Sequence, residues 1–340
     1  MNLECLNPYK ILNHIDRVND MLQDNTTFPI AVEIDLTNIC NHNCVWCMFD
    51  SFRKRVPESL KTDLVMKLKE DLKACGVKAV TFVGGGEPLV HKDFSMICEE
   101  YLKDFDVGVV TNGELINKHI EVLKKCKFVR ISLDAGTSRT HKRLHRSAGE
   151  SYRKIMNNIR SLRTSTELII GVAFLVHPQN YYEIPDLATF LSAIGVDYLQ
   201  VRPVYMKGLK FSEKMLADLE VVLNDAENNV RDTNMAFITF RNRFSEFNGN
   251  DFRPTSCMAH SLLSIIGADS KLYLCCQLRG NSKFALGDLK EKSFMDIWKS
   301  KERQEVIEVI DIKRCPPCRY KKYNEIMQYL ASERGHNNFL

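Results

Sequence analysis

Residues 31–47 read AVEIDLTNICNHNCVWC, an alternating apolar strand that runs directly into Cys40, Cys44 and Cys47. The spacing C-x-x-x-C-x-x-C gathers three thiolates in one tight loop and leaves a fourth ligand unsupplied. Three such cysteines can each hold one iron of a [4Fe-4S] cube and leave the last iron open to a small molecule. A closed structural zinc site needs a fourth protein ligand, and His42, inside the loop, is the residue that can supply one. Within the strand, Glu33 and Asp35 share one face while Val32, Ile34 and Leu36 share the other. If the apolar face packs on helices, the two acids point inward. There they can bind substrate hydroxyls or amines, accept a proton, or form a buried salt bridge to an arginine such as Arg202.

Outward from this strand, short apolar runs alternate with amphipathic segments. Strands are expected at 31–36, 78–83, 107–110, 128–133, 168–176 and 198–201, and helices near 63–74, 94–103, 116–124, 152–163 and 184–193. Six such βα repeats specify a parallel α/β architecture with helices outside, though periodicity alone does not separate an open sheet from a partial barrel. The chain has 340 residues, 44% of them hydrophobic, enough for a large core and two units. A net charge of +4 with 26% charged residues excludes a basic field of nucleic-acid scale. The densest basic stretch, RTHKRLHR at 139–146, reads as a solvated face. No apolar run approaches the about 20 residues that span a bilayer, and the N-terminus lacks a secretory core, so a cytoplasmic protein without membrane contact is expected. In a reducing compartment, clustered cysteines read as metal ligands rather than disulfides. Cys5, Cys75, Cys98 and Cys126 are isolated on or near helical patterns and read as small core residues.

A second signature follows the second strand, where KAVTFV leads into Gly84, Gly85, Gly86, Glu87 and Pro88. Glycines let backbone approach a ligand closely, or simply make a tight turn. With the cysteine loop and Trp46 just before its last cysteine, this segment resembles the radical S-adenosylmethionine (SAM) superfamily, whose GGEP motif it matches. The resemblance implies a partial (β/α)6 barrel, a [4Fe-4S] cluster at Cys40, Cys44 and Cys47, and SAM chelated by the open iron. It places SAM contacts at Trp46, Gly84, Gly85, Gly86, Glu87, Thr111, Asn112, Ser132 and Asp134. The domains expected are an extension at 1–27, the barrel at 28–230 and a small α+β unit at 231–340.

In that last unit, Cys257, Cys275 with Cys276 beside it, Cys315 and Cys318 form a second constellation. The turn 268–271 between apolar runs predicts a hairpin that returns Cys275 toward Cys257. Four gathered thiolates make a closed site for zinc or an iron–sulfur cluster. The region resembles the shortened SPASM, or twitch, domain of enzymes such as 2-deoxy-scyllo-inosamine dehydrogenase, with Gly287, Asp288, Leu289, Phe294, Ile297 and Trp298 between the cysteines. That implies one auxiliary [4Fe-4S] cluster at Cys257, Cys275, Cys315 and Cys318. Strand alternation directs Cys275 and Cys276 to opposite faces, so Cys276 is a second candidate ligand, a core thiol, or a hydrogen-atom donor.

The resemblance further implies reductive SAM cleavage, with an electron from a flavodoxin or ferredoxin, and hydrogen abstraction from a small polar substrate of sugar or aminocyclitol type. Oxidation or epimerisation would follow, making the protein an oxidoreductase or epimerase. Two alternatives stand beside it: modification of a ribosomally made peptide, and a non-catalytic metal-cluster scaffold. Fewer than the roughly 80 residues of a fused leader-recognition domain precede the first strand, which weighs against the peptide reading unless a separate protein recognises the leader. Arg202, Tyr205, Arg241 and Arg243 follow strand-like runs and are candidate substrate contacts, since the guanidinium fork suits carboxylate or phosphate.

Overall fold

The computed structural model of the chain describes residues 7–23, 27–165, 168–206, 208–246, 254, 256–315 and 318–332. Its centre is one ten-stranded sheet in the order β10-β9-β8-β1-β2-β3-β4-β5-β6-β7. Strands β1 (Ala31–Asp35), β2 (Ala79–Val83), β3 (Asp106–Thr111), β4 (Phe128–Ser132), β5 (Ile169–Val176), β6 (Tyr198–Pro203) and β7 (Ala236–Thr239) run parallel. The helices between them include Thr62–Ala74, Phe94–Tyr101, Ile116–Leu123, Ser151–Ser165, Ile184–Ala193 and Glu213–Val230. The result is a partial, open α/β barrel, as expected from the alternating strands and helices. Among the described residues, no helix is long and apolar enough to cross a membrane.

Alternation decides which side chains face where. Val32 and Ile34 of β1, Val80 and Phe82 of β2, Val129 and Ile131 of β4, and Leu199 and Val201 of β6 are buried in the layer beneath the helices. The opposite, inner face therefore carries Glu33, Asp35, Arg130, Ser132, Gln200 and Arg202.

Sheet and sequence expectation differ in extent. The six expected strands are all present, but β7 adds a seventh parallel strand beyond β6, and the helix Glu213–Val230 before it was not anticipated. On the other side β8 (Leu263–Ile266) pairs parallel with β1, Glu33 opposite Ile265. It then turns through Ser270, at φ +67°, into antiparallel β9 (Lys271–Tyr273) and on to β10 (Ala285–Asp288). The hairpin expected around 268–271 is thus formed. The boundary expected at 230/231 cuts a continuous sheet: the C-terminal segment supplies strands at both of its edges. Between the two halves of the second cysteine set lie two short helices, Phe294–Trp298 and Lys301–Glu308, each with a serine N-cap.

The inner acids are held by arginines from the C-terminal segment rather than by Arg202. Arg279 Nη1 donates to both oxygens of Asp35, at 2.5 and 2.7 Å, and its Nη2 lies 3.3 Å from Glu33. Arg319 Nη1 donates to the other Glu33 oxygen at 2.8 Å. Asp35 is fully buried, and burial raises its pKa despite the adjacent Arg279 guanidinium. Removing one partner of a buried pair strands the other charge, at a cost of about 3–5 kcal/mol. We therefore expect Arg279→Ala to lower unfolding free energy by about that amount in denaturant titration, with Asp35→Asn in the same chain restoring part of it.

Candidate active site at the cysteine loop

The cysteine loop lies between β1 and the helix Asp50–Arg55. Three neighbours fix its path. Asn43 and Val45 donate backbone N–H bonds to the carbonyls of His145 and Leu144, at 3.0 and 2.9 Å. Arg53 donates to Asn43 Oδ1 at 2.6 Å. On the other flank, Gly86 N and Glu87 N donate to Thr37 O and Ile39 O, at 3.0 and 2.9 Å. A Cβ at Gly86 would collide with the Ile39 carbonyl, so this glycine is required by protein against protein. Glu87 is buried, and its carboxylate accepts from Leu89 N (3.1 Å), Thr111 Oγ1 (2.6 Å) and Asn112 N (2.7 Å). Asn112 in turn donates to Asn41 Oδ1 at 2.7 Å. The expected SAM-contact residues Glu87, Thr111 and Asn112 therefore form one network that joins the ends of β2 and β3 to the cysteine loop.

Cys40, Cys44 and Cys47 are partly exposed free thiols. His42, the residue that could have closed a zinc site, is otherwise engaged. Its Nε2 lies 2.9 Å from Glu114 Oε2 and 3.0 Å from Ser151 Oγ, and its Nδ1 lies 3.3 Å from His145 Nδ1. A donor set of three cysteines on an open rim fits a [4Fe-4S] cluster with one free iron.

The basic stretch at 139–146 is where expectation and structure part most clearly. It forms the helix Ser138–His145, capped by Thr137 and ended by Arg146 at φ +45°, and it buries Thr140, His141, Leu144 and His145. The spacing of His141 and His145 puts both on the helix face that meets the loop. His145 Nδ1 is 3.5 Å from Cys44 Sγ, and its Nε2 is 3.2 Å from Asp134 Oδ2. Burial opposes a charged His145, yet the Cys44 charge and the Asp134 bond push its pKa up to about 10. Cys44 responds in kind: burial opposes its ionisation, and His145 with His42 lowers it to about 6. Burial, followed by the other two histidines, takes His141 down to about 2. Asp134, expected beside SAM, has φ +54° and accepts from Leu175 N at 2.6 Å as well as pairing His145. Trp46 is buried with its ring 5.8 Å from His145 and 5.9 Å from His177. The two histidines at i and i+4 were legible in the sequence, but the surrounding arginines and lysines masked them.

Cys257, Cys275, Cys315 and Cys318 line a single cavity whose other walls include Leu263, Leu274 and Ile310. Asn324 Oδ1 accepts from the N–H groups of Met258 and Ala259, and its Nδ2 approaches Cys318 Sγ at 3.7 Å, so one buried amide sets both ends of this site. Four sulfurs within apolar walls fit a closed cluster. The strand β9 ends at Tyr273, so a turn rather than a pleat separates Cys275 from Cys276. Cys276 is buried against Ile265 and Tyr273 and is not among the residues that line the four-cysteine cavity. Cys75, Cys98 and Cys126 are buried as expected; Cys5 lies outside the described residues.

The remaining substrate candidates separate. Arg202 lies on the inner face at the end of β6. Arg241 turns away to pair with Glu220 and Glu227 of the helix Glu213–Val230. Arg243 stacks on Phe240 at 4.6 Å, and Tyr205 is exposed. Arg130, on β4 facing inward like Ser132, was missed although its strand alternates as clearly as β1.

Comparison with known proteins agrees with this geometry. The pattern of the radical SAM superfamily matches residues 34–191, and that of an iron–sulfur cluster-binding domain, SPASM, matches residues 257–320. A tungsten-containing aldehyde ferredoxin oxidoreductase cofactor-modifying protein of Pyrococcus furiosus is 26% identical over 78% of this chain and 80% of its own length. The mycofactocin maturase MftC of Mycobacterium ulcerans is 28% identical over 53% of this chain and 49% of its own. The sporulation killing factor maturation protein SkfB of Bacillus subtilis is 29% identical over 47% of this chain, and the chain spans 38% of it. In fold, Streptococcus suis SuiB, solved with its precursor peptide SuiA, superposes with a TM-score of 0.66 over 89% of this chain and 72% of its own at 19% identity. Residues 34–191 of the chain thus form a radical SAM domain, and residues 257–320 a SPASM-type iron–sulfur domain whose strand β8 pairs with β1.

Proposed function

We propose that this protein is a peptide maturase: a radical SAM enzyme that removes hydrogen from a residue of a ribosomally made precursor peptide. The observation that carries it is the likeness of this chain to two maturation proteins, MftC over 53% of its length and SkfB over 47%. A sugar or aminocyclitol substrate, the first expectation from the sequence, has weaker support from these relatives. The cofactor-modifying relative aligns over more of the chain, and favours a second reading in which the substrate is a small cofactor.

In this reading Cys40, Cys44 and Cys47 hold the first cluster, and Cys257, Cys275, Cys315 and Cys318 the auxiliary one. When bound, the first cluster and SAM supply a 5'-deoxyadenosyl radical that abstracts a substrate hydrogen. The chain's part is to hold the target carbon near that radical and to exclude water. Glu87 spends its carboxylate on the β2 and β3 loops, so the SAM contacts of residues 84–87 fall to their backbone, with Ser132 at the end of β4 beside them. Glu33 and Asp35 position Arg279 and Arg319 in the interior. Cys276, near the charges of Glu33 and Arg319, would be the thiol that returns a hydrogen atom in an epimerisation. A flavodoxin or ferredoxin is the expected electron donor.

Two measurements test this. Anaerobic iron and sulfide quantitation of the triple variant Cys40→Ala, Cys44→Ala, Cys47→Ala should find about four irons retained, one auxiliary cube; a variant holding zinc or no metal refutes the auxiliary cluster. Gly86→Ala, which displaces the loop, should lose the same irons as the triple variant. Second, 5'-deoxyadenosine formation under dithionite should rise by about tenfold when a short peptide encoded next to this gene is added as candidate precursor, with a mass change in the peptide. A rise with the cofactor extracted from a tungsten-containing aldehyde ferredoxin oxidoreductase, and none with peptide, would establish the second reading.

A further inference from the structure

The interior of the barrel has an imbalance of charge that the ion pairs leave standing. Arg279 and Arg319 are matched by Asp35 and Glu33. Arg130 and Arg202 are not matched: the Nε of each is buried without a hydrogen bond, and among the described residues neither has an ion-pair partner.

Register places the two on one wall. Arg130 of β4 stands opposite Gly171 of β5 and Tyr198 of β6, Ser132 stands opposite Ala173 and Gln200, and Arg202 stands opposite Leu175 at the next inward position. Between the arginines, β5 presents only Gly171 and Ala173 to the interior. The Tyr198 ring lies against Gly171, where any Cβ would collide with it, and floors the space. Gln200 stands between the arginines along β6, 5% exposed, with its Oε1 buried and unpartnered. The wall thus offers two guanidinium groups and one amide acceptor whose buried Nε and Oε1 atoms have no hydrogen-bond partner among the described residues.

We propose that this wall is a subsite for a carboxylate of the substrate, held between Arg130 and Arg202 with a neighbouring N–H of the substrate donated to Gln200. A guanidinium fork matches two carboxylate oxygens. A fully ionised phosphoryl group offers acceptors alone and leaves Gln200 unanswered. The proposal rests on the peptide reading, in which the carboxylate is an Asp or Glu side chain or the C-terminus, beside a backbone amide. Burial, then the mutual repulsion of Arg130, Arg202 and Arg319, drives the pKa of Arg202 down to about 9 and lowers that of Arg130. Arginine stays charged in proteins, so the repulsion is relieved by a bound anion.

Saturation-transfer NMR on the SAM-loaded holoenzyme tests it with acetyl-Gly-Glu-Gly-amide, its Gln counterpart, glutarate and inorganic phosphate as probes. The Glu probe should bind about tenfold more tightly than the Gln probe, the scale of one charge-assisted bond. In Arg130→Gln and Arg202→Gln that preference should fall to about twofold or less, while both variants melt at or above the wild-type temperature because each removes a buried unmatched charge. Equal binding of the two peptides by the wild type, or a preference that survives in both variants, overturns the subsite. Phosphate displacing the Glu probe more effectively than glutarate overturns the carboxylate. Glutarate binding that both substitutions abolish, without peptide binding, upholds the subsite and refutes the peptide substrate.

Discussion

The bond from Arg279 to Asp35 is the constraint on which both cysteine sites depend. Asp35 is the last residue of β1, immediately ahead of the first cysteine loop. Arg279 also stacks on Phe49, just past the end of that loop, at 4.6 Å, and its Nε donates to the Cys276 carbonyl at 3.1 Å. One guanidinium therefore clamps the entrance and exit of the first loop to the turn that carries Cys275. Taking two charges out of water costs several kcal/mol per ion and is repaid only by close geometry with further hydrogen bonds. Here Arg279 meets Asp35 through two bonds and adds Glu33 and a backbone carbonyl. The parallel pairing of β8 with β1 acts at the same place, so the C-terminal unit is registered to the barrel by backbone and by charge.

The rim of the barrel follows the same economy of shared partners. Glu87, Asp134 and Glu183 each serve several donors from different loops. Glu183 takes Gly136 N, Thr137 Oγ1 and Thr140 Oγ1, which anchors the start of the histidine helix. Asp134 reaches from β4 to the Leu175 backbone and to His145. Hydrogen bonds to a buried carboxylate are stronger than neutral ones, and each acid here ties loops from successive strands together. The cysteine loop thus has no regular structure of its own and yet is fixed on three sides.

Most of this architecture was legible from local pattern. Period-two alternation located six strands, cysteine spacing located both thiol sites, and the turn at 268–271 located the hairpin. What escaped detection is non-local or masked. That β8 lies beside β1, and that Arg279 and Arg319 answer Glu33 and Asp35, depends on contacts between opposite ends of the chain, which no local window contains. The histidine helix escaped because its exposed face is so basic that the composition of 139–146 reads as solvated, although His141, Leu144 and His145 already mark one buried stripe. The glycines of 84–86 were recognised for nearness to a ligand, while Gly86 is required by the backbone of the cysteine loop.

Satisfied and unsatisfied polar groups divide the molecule into scaffold and site. Arg53, Arg163 and Arg303 have a buried Nε without a partner, but each bonds through another nitrogen, to Asn43 and Asp50, to Asp197, and to His260. Arg130 and Arg202 have no such second bond among the described residues. A buried polar group left without a partner costs about 1–3 kcal/mol, more for a charge. The outer layer of valine, isoleucine, leucine and phenylalanine under the helices can carry that cost, because its burial is continuous from β1 to β6. Apolar residues at 130 and 202 would make a more stable barrel. Their absence sets these two arginines apart from the acids of the rim, whose every bond is spent on holding the fold, and marks the interior wall as the part of the protein built to be completed by something else.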